Sequence, residues 1–403
     1  MRSLLLPIII LISVDMSKAD HQSRTLFLNA LLGDYDSTVT PTFDMSLPTL
    51  VNVSLQINAL NSVNEQTMDF SINVLVTQSW YDFRLQFYEL INADHLELDS
   101  KLIAKFWVPD LYFVNEKSSE FHDITVPNRL LHLYRDGRVV YKMRISLTAT
   151  CLMQLHRFPM DQQTCSLLMK SFGFTNQSLQ FRWSLDSPLT CLKQLEMSQF
   201  ILARMDYKEC QRMSDINDTF SCLQMDLKLH RRVGFYMIQL YIPSALVVVL
   251  SWVSFYLDVG SVPGRVSLGI LTVLTITNMK TMAVSSLPKV SYIKAIDVWM
   301  VTCLSFAFAS LLEFAVVNSF ARRVSSLDNT WSVIMESEPL QAYRDTFTNT
   351  KNARSSNYAA PPARRPDPRS INLAKLIDKI SMVVFPISFM AFIFVYITVY
   401  AYA

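Results

Sequence analysis

The chain has 403 residues and a formal net charge of +2, with 51% hydrophobic and only 17% charged residues. That balance is too apolar for a soluble protein of this length and points to partial membrane embedding. Near-neutral bulk charge excludes an electrostatically driven nucleic-acid binder, and seven glycines exclude a glycine-rich low-complexity chain.

The first twenty residues read MRSLLLPIIILISVDMSKAD. Arg2 makes a basic start, Leu4 to Val14 is an apolar run too short to span a bilayer, and Ser17-Lys18-Ala19 is a small-residue cleavage site. The expectation is a signal peptide over 1–19. Secretory entry makes disulfides permissible. Of six cysteines, Cys151, Cys165, Cys191, Cys210 and Cys222 lie outside the apolar spans, and Cys303 lies within one. Cys151–Cys165 and Cys210–Cys222 are the natural short-loop pairs. Cys191 is left over as a free thiol or an intermolecular partner. Three glycosylation sequons start at Asn52, Asn176 and Asn217, all before the first span.

Residues 20–232 alternate apolar and polar in short runs, as in 51–57 and 139–147. Arg135-Asp136-Gly137-Arg138 is a hairpin signal between two such runs. Many short strands over this length predict a single extracellular β-sandwich. Four apolar stretches follow, at about 234–257, 263–285, 295–319 and 378–402, each with roughly the 20 residues a transmembrane helix needs. Pro243 and Pro386 fall inside the first and fourth. The predicted organisation is three helices over 233–320, a cytoplasmic loop over 321–376 and a fourth helix over 377–403. Arg322, Arg323, Arg364, Arg365 and Arg369 in the long loop agree with that orientation. Ala359 to Pro366 reads as a proline-rich linker.

The second stretch, from Pro263 to Lys280, is a poor lipid-facing helix because it carries Asn278 and Lys280. At about 100° per residue, Ser267, Leu271, Leu274, Asn278, Thr281, Met282 and Ser285 share one stripe. Small polar residues of this kind also serve as glue between packed helices. Read as a pore wall, several copies would stack polar rings from Ser267, Asn278 and Ser285 around leucine rings from Leu271 and Leu274. A narrow leucine ring stops ions by dewetting. Arg265 lies about 160° from the stripe, at the N-terminal end of the helix. With no acid beside it in the sequence, its charge adds to the positive end of the helix dipole and predicts a mouth that favours anions. Snorkelling to headgroups is the alternative role for Arg265.

Six motifs in order now identify a family resemblance: the Cys151–Cys165 loop with Phe158-Pro159-Met160-Asp161, Trp107 to Tyr112, Asn115-Glu116-Lys117, Ser171-Phe172-Gly173, Pro263 to Gly269, and Leu287 to Tyr292. The chain resembles the Cys-loop pentameric ligand-gated ion channels, most of all the anion-selective branch of glycine receptors and invertebrate chloride channels. The resemblance implies a β-sandwich plus a four-helix bundle per subunit. Five subunits, identical or mixed, would surround a pore for chloride ions in the lipid bilayer of the plasma membrane, postsynaptic membranes included. A small-molecule agonist would bind outside, between subunits. Tyr112, Phe172, Phe220 and Lys170 would face it from one side, and Leu75, Thr77, Lys142 and Arg144 from the other. Gating would pass through Glu65 and Asp69, the loop tip from Phe158 to Asp161, Arg231 and Lys289, with Asp161 and Glu65 paired to Arg231.

The chain departs from the glycine and GABA pattern at two charges. Lys170 stands where those receptors have a glutamate, and Thr77 where they have an arginine. Each lost charge-assisted hydrogen bond costs about 1.5–3 kcal/mol, so neither amino acid should be the agonist. Tyr112, Phe172 and Phe220 would form an aromatic box for an organic cation or an apolar ligand. A non-conducting subunit or binding protein on the same scaffold, and a cation-selective member, are the alternative functions. No nucleophile–base set, metal-ligand spacing or cofactor fingerprint appears in the sequence, so neither an enzyme nor a cofactor is expected.

Overall fold

In the computed structural model, the residues described are 27–88, 94–192, 197–213, 219–258, 260–285, 287–321 and 368–401. The expected signal peptide, the sequon at Asn217 and the proline-rich linker lie outside them. The chain divides into two compact units. One holds the strands; the other holds the helices together with residues 155–160.

The strand unit is a sandwich of two sheets. The larger runs β10 (Leu189–Cys191), β1 (Thr49–Asn64), β2 (Asp69–Tyr81), β7 (Arg138–Thr150), β6 (Arg129–Tyr134), β3 (His95–Leu98). In addition β5 (Glu116–Phe121) pairs with β7, and β9 (Leu179–Trp183) pairs with β1. The smaller runs β11 (Phe200–Met213), β12 (Thr219–Arg231), β8 (Gln162–Ser171), β4 (Leu111–Phe113). Strict alternation sends every second side chain inward. Val51, Val53, Leu55 and Ile57 of β1, Val74 and Val76 of β2, and Leu167 and Met169 of β8 are all buried. The turn between β6 and β7 follows the sequence signal. Gly137 adopts φ +85°, and a Cβ there would lie 2.7 Å from the Asp82 carbonyl oxygen, so the turn needs glycine.

Among the described residues, four helices have the length and apolarity to cross a membrane: Gly234–Tyr256, Val262–Ser285, Ala295–Ala321 and a fourth whose apolar part is Ile371–Tyr400. They are called spans 1 to 4. Span 1 contains a π-helical turn over Met237–Tyr241, just before Pro243, where the missing proline N–H breaks the regular ladder. The helix of span 4 starts at Pro368, earlier than the apolar run suggests. Its proline sits in the first turn, where no backbone donor is needed, and the next turns mix Lys375, Asp378 and Lys379 with Ile371, Leu373 and Leu376. Spans 1, 3 and 4 pack through aromatic contacts: Trp299 lies 4.9 Å from Tyr241 and 5.2 Å from Tyr396, and the two tyrosine hydroxyls are 2.8 Å apart.

Candidate functional site

The strand unit builds an aromatic cluster on its four-stranded sheet. Asp110 ties the segment before β4 to the turn after β8. Its carboxylate accepts from Ser171 Oγ and from the Gly173 N–H, each at 2.7 Å. That brace presents Phe172 to solvent, 77% exposed. Its ring meets Tyr112 edge-on with centroids 5.6 Å apart. Lys170 is opposite Tyr112 on one side and opposite Cys222 on the other. Its ammonium lies 4.6 Å from the Phe220 ring centroid and 5.7 Å from that of Tyr112. Tyr112 and Phe172 touch each other and Phe220 joins them through Lys170, which is not a box open to an organic cation. Lys170 already holds that position, because cross-strand register places its side chain between the rings.

Leu75 and Thr77 on β2 face Arg144 and Lys142 on β7 as direct cross-strand partners. They lie in the other sheet, so one chain does not bring the two sets together. Arg144 also donates from Nε to Asn73 Oδ1 at 3.1 Å.

Arg231 ends β12 with its side chain fully buried. It donates from Nε to Asp161 Oδ1 at 2.7 Å and from Nη2 to Oδ2 at 3.1 Å, and from Nη1 to Glu65 Oε1. Its guanidinium stands 4.4 Å over the Phe200 ring. Burial alone would lower its pKa; hydrogen bonds and charge from Asp161, then from Glu65, outweigh burial and hold it above the ordinary arginine value. The trio expected from the resemblance is therefore assembled. Asp69 is not part of it. Its carboxylate pairs with Lys117 Nζ at 2.7 Å and accepts from Thr67 Oγ1 at 2.8 Å. Lys289 is exposed and makes no ion pair among the described residues.

The Cys151–Cys165 and Cys210–Cys222 disulfides are both formed, with Cα atoms 5.1 and 4.7 Å apart. Cys191 is a free, exposed thiol and Cys303 a free, buried one. The first disulfide closes a loop whose tip belongs to the helical unit. Phe158 is buried there against Tyr236 of span 1, centroids 4.9 Å apart. The carbonyls of His156 and Phe158 accept from the N–H groups of Ala295 and Ile296 at 2.8 and 3.2 Å. Those N–H groups open span 3 and have no partner within their own helix. The His156 ring stacks on Tyr292 at 4.0 Å, and the Tyr292 hydroxyl accepts from the Leu155 N–H at 3.1 Å. Sequence reasoning overlooked His156 and Tyr292; their only signal was their position in two motifs already flagged.

Span 2 has two faces. Ser267, Leu271, Leu274, Asn278, Thr281, Met282 and Ser285 are all exposed in the single chain, Leu271 and Leu274 at 56% each. Ser267 turns its hydroxyl back to the Pro263 carbonyl at 2.7 Å. The other face buries Arg265, Gly269, Thr272 and Ile276. At Gly269 a Cβ would lie 2.5 Å from Leu311 Cδ1, so spans 2 and 3 approach closely there. The expectation for Arg265 needs correction. Its side chain is 1% exposed and donates to both carboxylate oxygens of Asp378 in span 4, at 3.0 and 2.8 Å, and to the Leu257 carbonyl. Glu313 of span 3 stands beside Asp378 and Ser381. A charge facing the back of the helix is stable in this apolar bundle only with a counter-ion. Asp378 supplies it, so Arg265 does not act as a free charge at the mouth.

Two family models match the chain. The neurotransmitter-gated ion-channel ligand binding domain covers residues 24–233, and the neurotransmitter-gated ion-channel transmembrane region covers residues 240–337. The strand unit, the looped disulfide and four spans define a ligand-gated ion channel subunit of the pentameric Cys-loop class. The chain belongs to the neurotransmitter-gated ion-channel family.

Proposed function

We propose that this chain forms a chloride-selective channel opened by an extracellular small molecule other than glycine or GABA, in the plasma membrane. The observation that carries the agonist exclusion is the position of Lys170. An agonist amine entering the aromatic cluster meets a resident ammonium instead of a carboxylate, and like charges at contact distance repel. The support for anion selectivity is the exposed stripe of span 2, which has no carboxylate from Ser267 to Ser285. The N-terminal end of that helix adds positive potential at the mouth. With Arg265 neutralised by Asp378, these two features carry the selectivity reading without it.

Oocytes expressing the chain alone, recorded against a ligand panel with external chloride partly replaced by a large anion, test the reading. The expected outcome is an evoked current whose reversal potential moves with the chloride gradient. A reversal potential that follows sodium instead would make it a cation channel. The exposed pair Leu271 and Leu274 favours a second reading, a non-conducting subunit, because two adjacent leucine rings raise the dewetting barrier. Leu274→Ser should open that constriction and produce agonist-free leak current. Surface pentamers of this variant that stay silent would establish the second reading.

A further inference from the structure

We propose that the ligand of the Tyr112–Phe172–Phe220 cluster is a small organic carboxylate with no cationic group beside it, bound through Lys170. This rests on reading the cluster as the agonist site and adds the chemical class of the agonist. Register between β4, β8 and β12 fixes Lys170 among the rings, with its ammonium in cation–π contact with Phe220 and Tyr112. Among the described residues no carboxylate comes within salt-bridge distance of it.

Among the described residues, the acids nearest along β4, β8 and β12 are already committed. Asp110 is taken by Ser171 and Gly173. Asp226 is opposite Ser166, four residues along β8 or about 13 Å away. It accepts from Ser166 Oγ and Gln224 Nε2 at 2.6 Å each and pairs with Lys208 at 3.6 Å. A ligand that covers the cluster removes water from the Lys170 ammonium, and desolvating a cation without a counter-ion is costly. A carboxylate repays that cost with a charge-assisted hydrogen bond to Nζ, and the Tyr112 hydroxyl can donate a second. The exposed Phe172 face is left for the apolar body of the ligand. An amine or quaternary ammonium must displace Lys170 from the rings to bind at all.

The test records the full chain in oocytes, with benzoate and succinate set against choline and tyramine. Wild type, Lys170→Glu and Leu274→Ser are compared, with Lys170→Gln in reserve if the glutamate variant does not assemble. Thermal stabilisation of the purified pentamer by benzoate gives a second readout that needs no current. The expected result is carboxylate-evoked current in wild type and a rise of about tenfold or more in half-maximal concentration in Lys170→Glu. Amines should act only on that variant. Wild type opened by choline or tyramine and not by carboxylates overturns the proposal, as does a benzoate effect that loss of the Lys170 charge leaves unchanged. If neither carboxylate stabilises or activates while Leu274→Ser conducts, the ligand class falls and the channel reading stands. Stabilisation that depends on Lys170, in pentamers silent even as Leu274→Ser, keeps the ligand class and removes the channel reading.

Discussion

Two buried arginines, one in each unit, use the same bidentate chemistry for different ends. Arg231 closes the strand unit, gripping Asp161 with two donors and Glu65 with a third. Its partners come from the turn after β1 and from Asp161, inside the disulfide loop just before β8, so it ties three segments of the strand unit together. Arg265 lies in the helical unit and grips only Asp378 in this way, fixing the back of span 2 to span 4. Both pairs are long-range, separated by 70 and 113 residues. The first joins segments that a moving loop would disturb. The second fixes the rotation of span 2, whose leucine stripe is exposed in the single chain. The same bidentate pair thus ties strand and loop segments together in one unit and two helices together in the other.

The largest expected effect comes from Arg231→Glu. Three carboxylates would then crowd a buried site, and removing one partner of a buried pair already costs about 3–5 kcal/mol. Evoked current should vanish while surface labelling shows assembled pentamers; normal currents would remove Arg231 from the transmission path. Arg265→Gln should act on stability, lowering the melting temperature of the purified pentamer by the equivalent of about 3–5 kcal/mol, and Asp378→Asn should do the same. Replacing both by apolar residues of similar size should recover most of that loss. If Arg265→Gln changed anion preference and left stability intact, Arg265 would be a mouth charge after all. Phe158→Leu sharpens the contrast from the helical side. It should cost about 1.5 kcal/mol or less because volume is nearly conserved, and it should slow or weaken gating in recordings. The smallest effect is expected of Asp69→Asn. Its pair with the half-exposed Lys117 is worth about 0–1 kcal/mol, and its gating should stay near wild type because Asp69 stands outside the Arg231 trio.

Much of the fold was readable because its signals are local. Period-two alternation in 51–57 and 139–147 marks strands whatever they pair with, and about twenty apolar residues mark a span. The stripe from Ser267 to Ser285 needed only helical geometry, and every member proves exposed in the chain. What escaped depends on distant partners. Asp378 sits far from Arg265 in sequence, in a helix that begins before its apolar run, so no local pattern revealed the counter-ion. Lys170 was visible as an altered residue, but its place between Tyr112 and Phe220 depends on the register of three strands. The capping of span 3 by the carbonyls of His156 and Phe158 uses main-chain atoms, which carry no residue signature. Asp69 and Glu65 are four residues apart, yet the turn sends them to different arginine and lysine partners.

The most direct test of the account is the agonist-free current of Leu274→Ser in oocytes, measured as external chloride is lowered. The account predicts a standing leak whose reversal potential shifts with chloride and is indifferent to sodium. Surface pentamers that pass no current, or a leak that follows sodium, would contradict it.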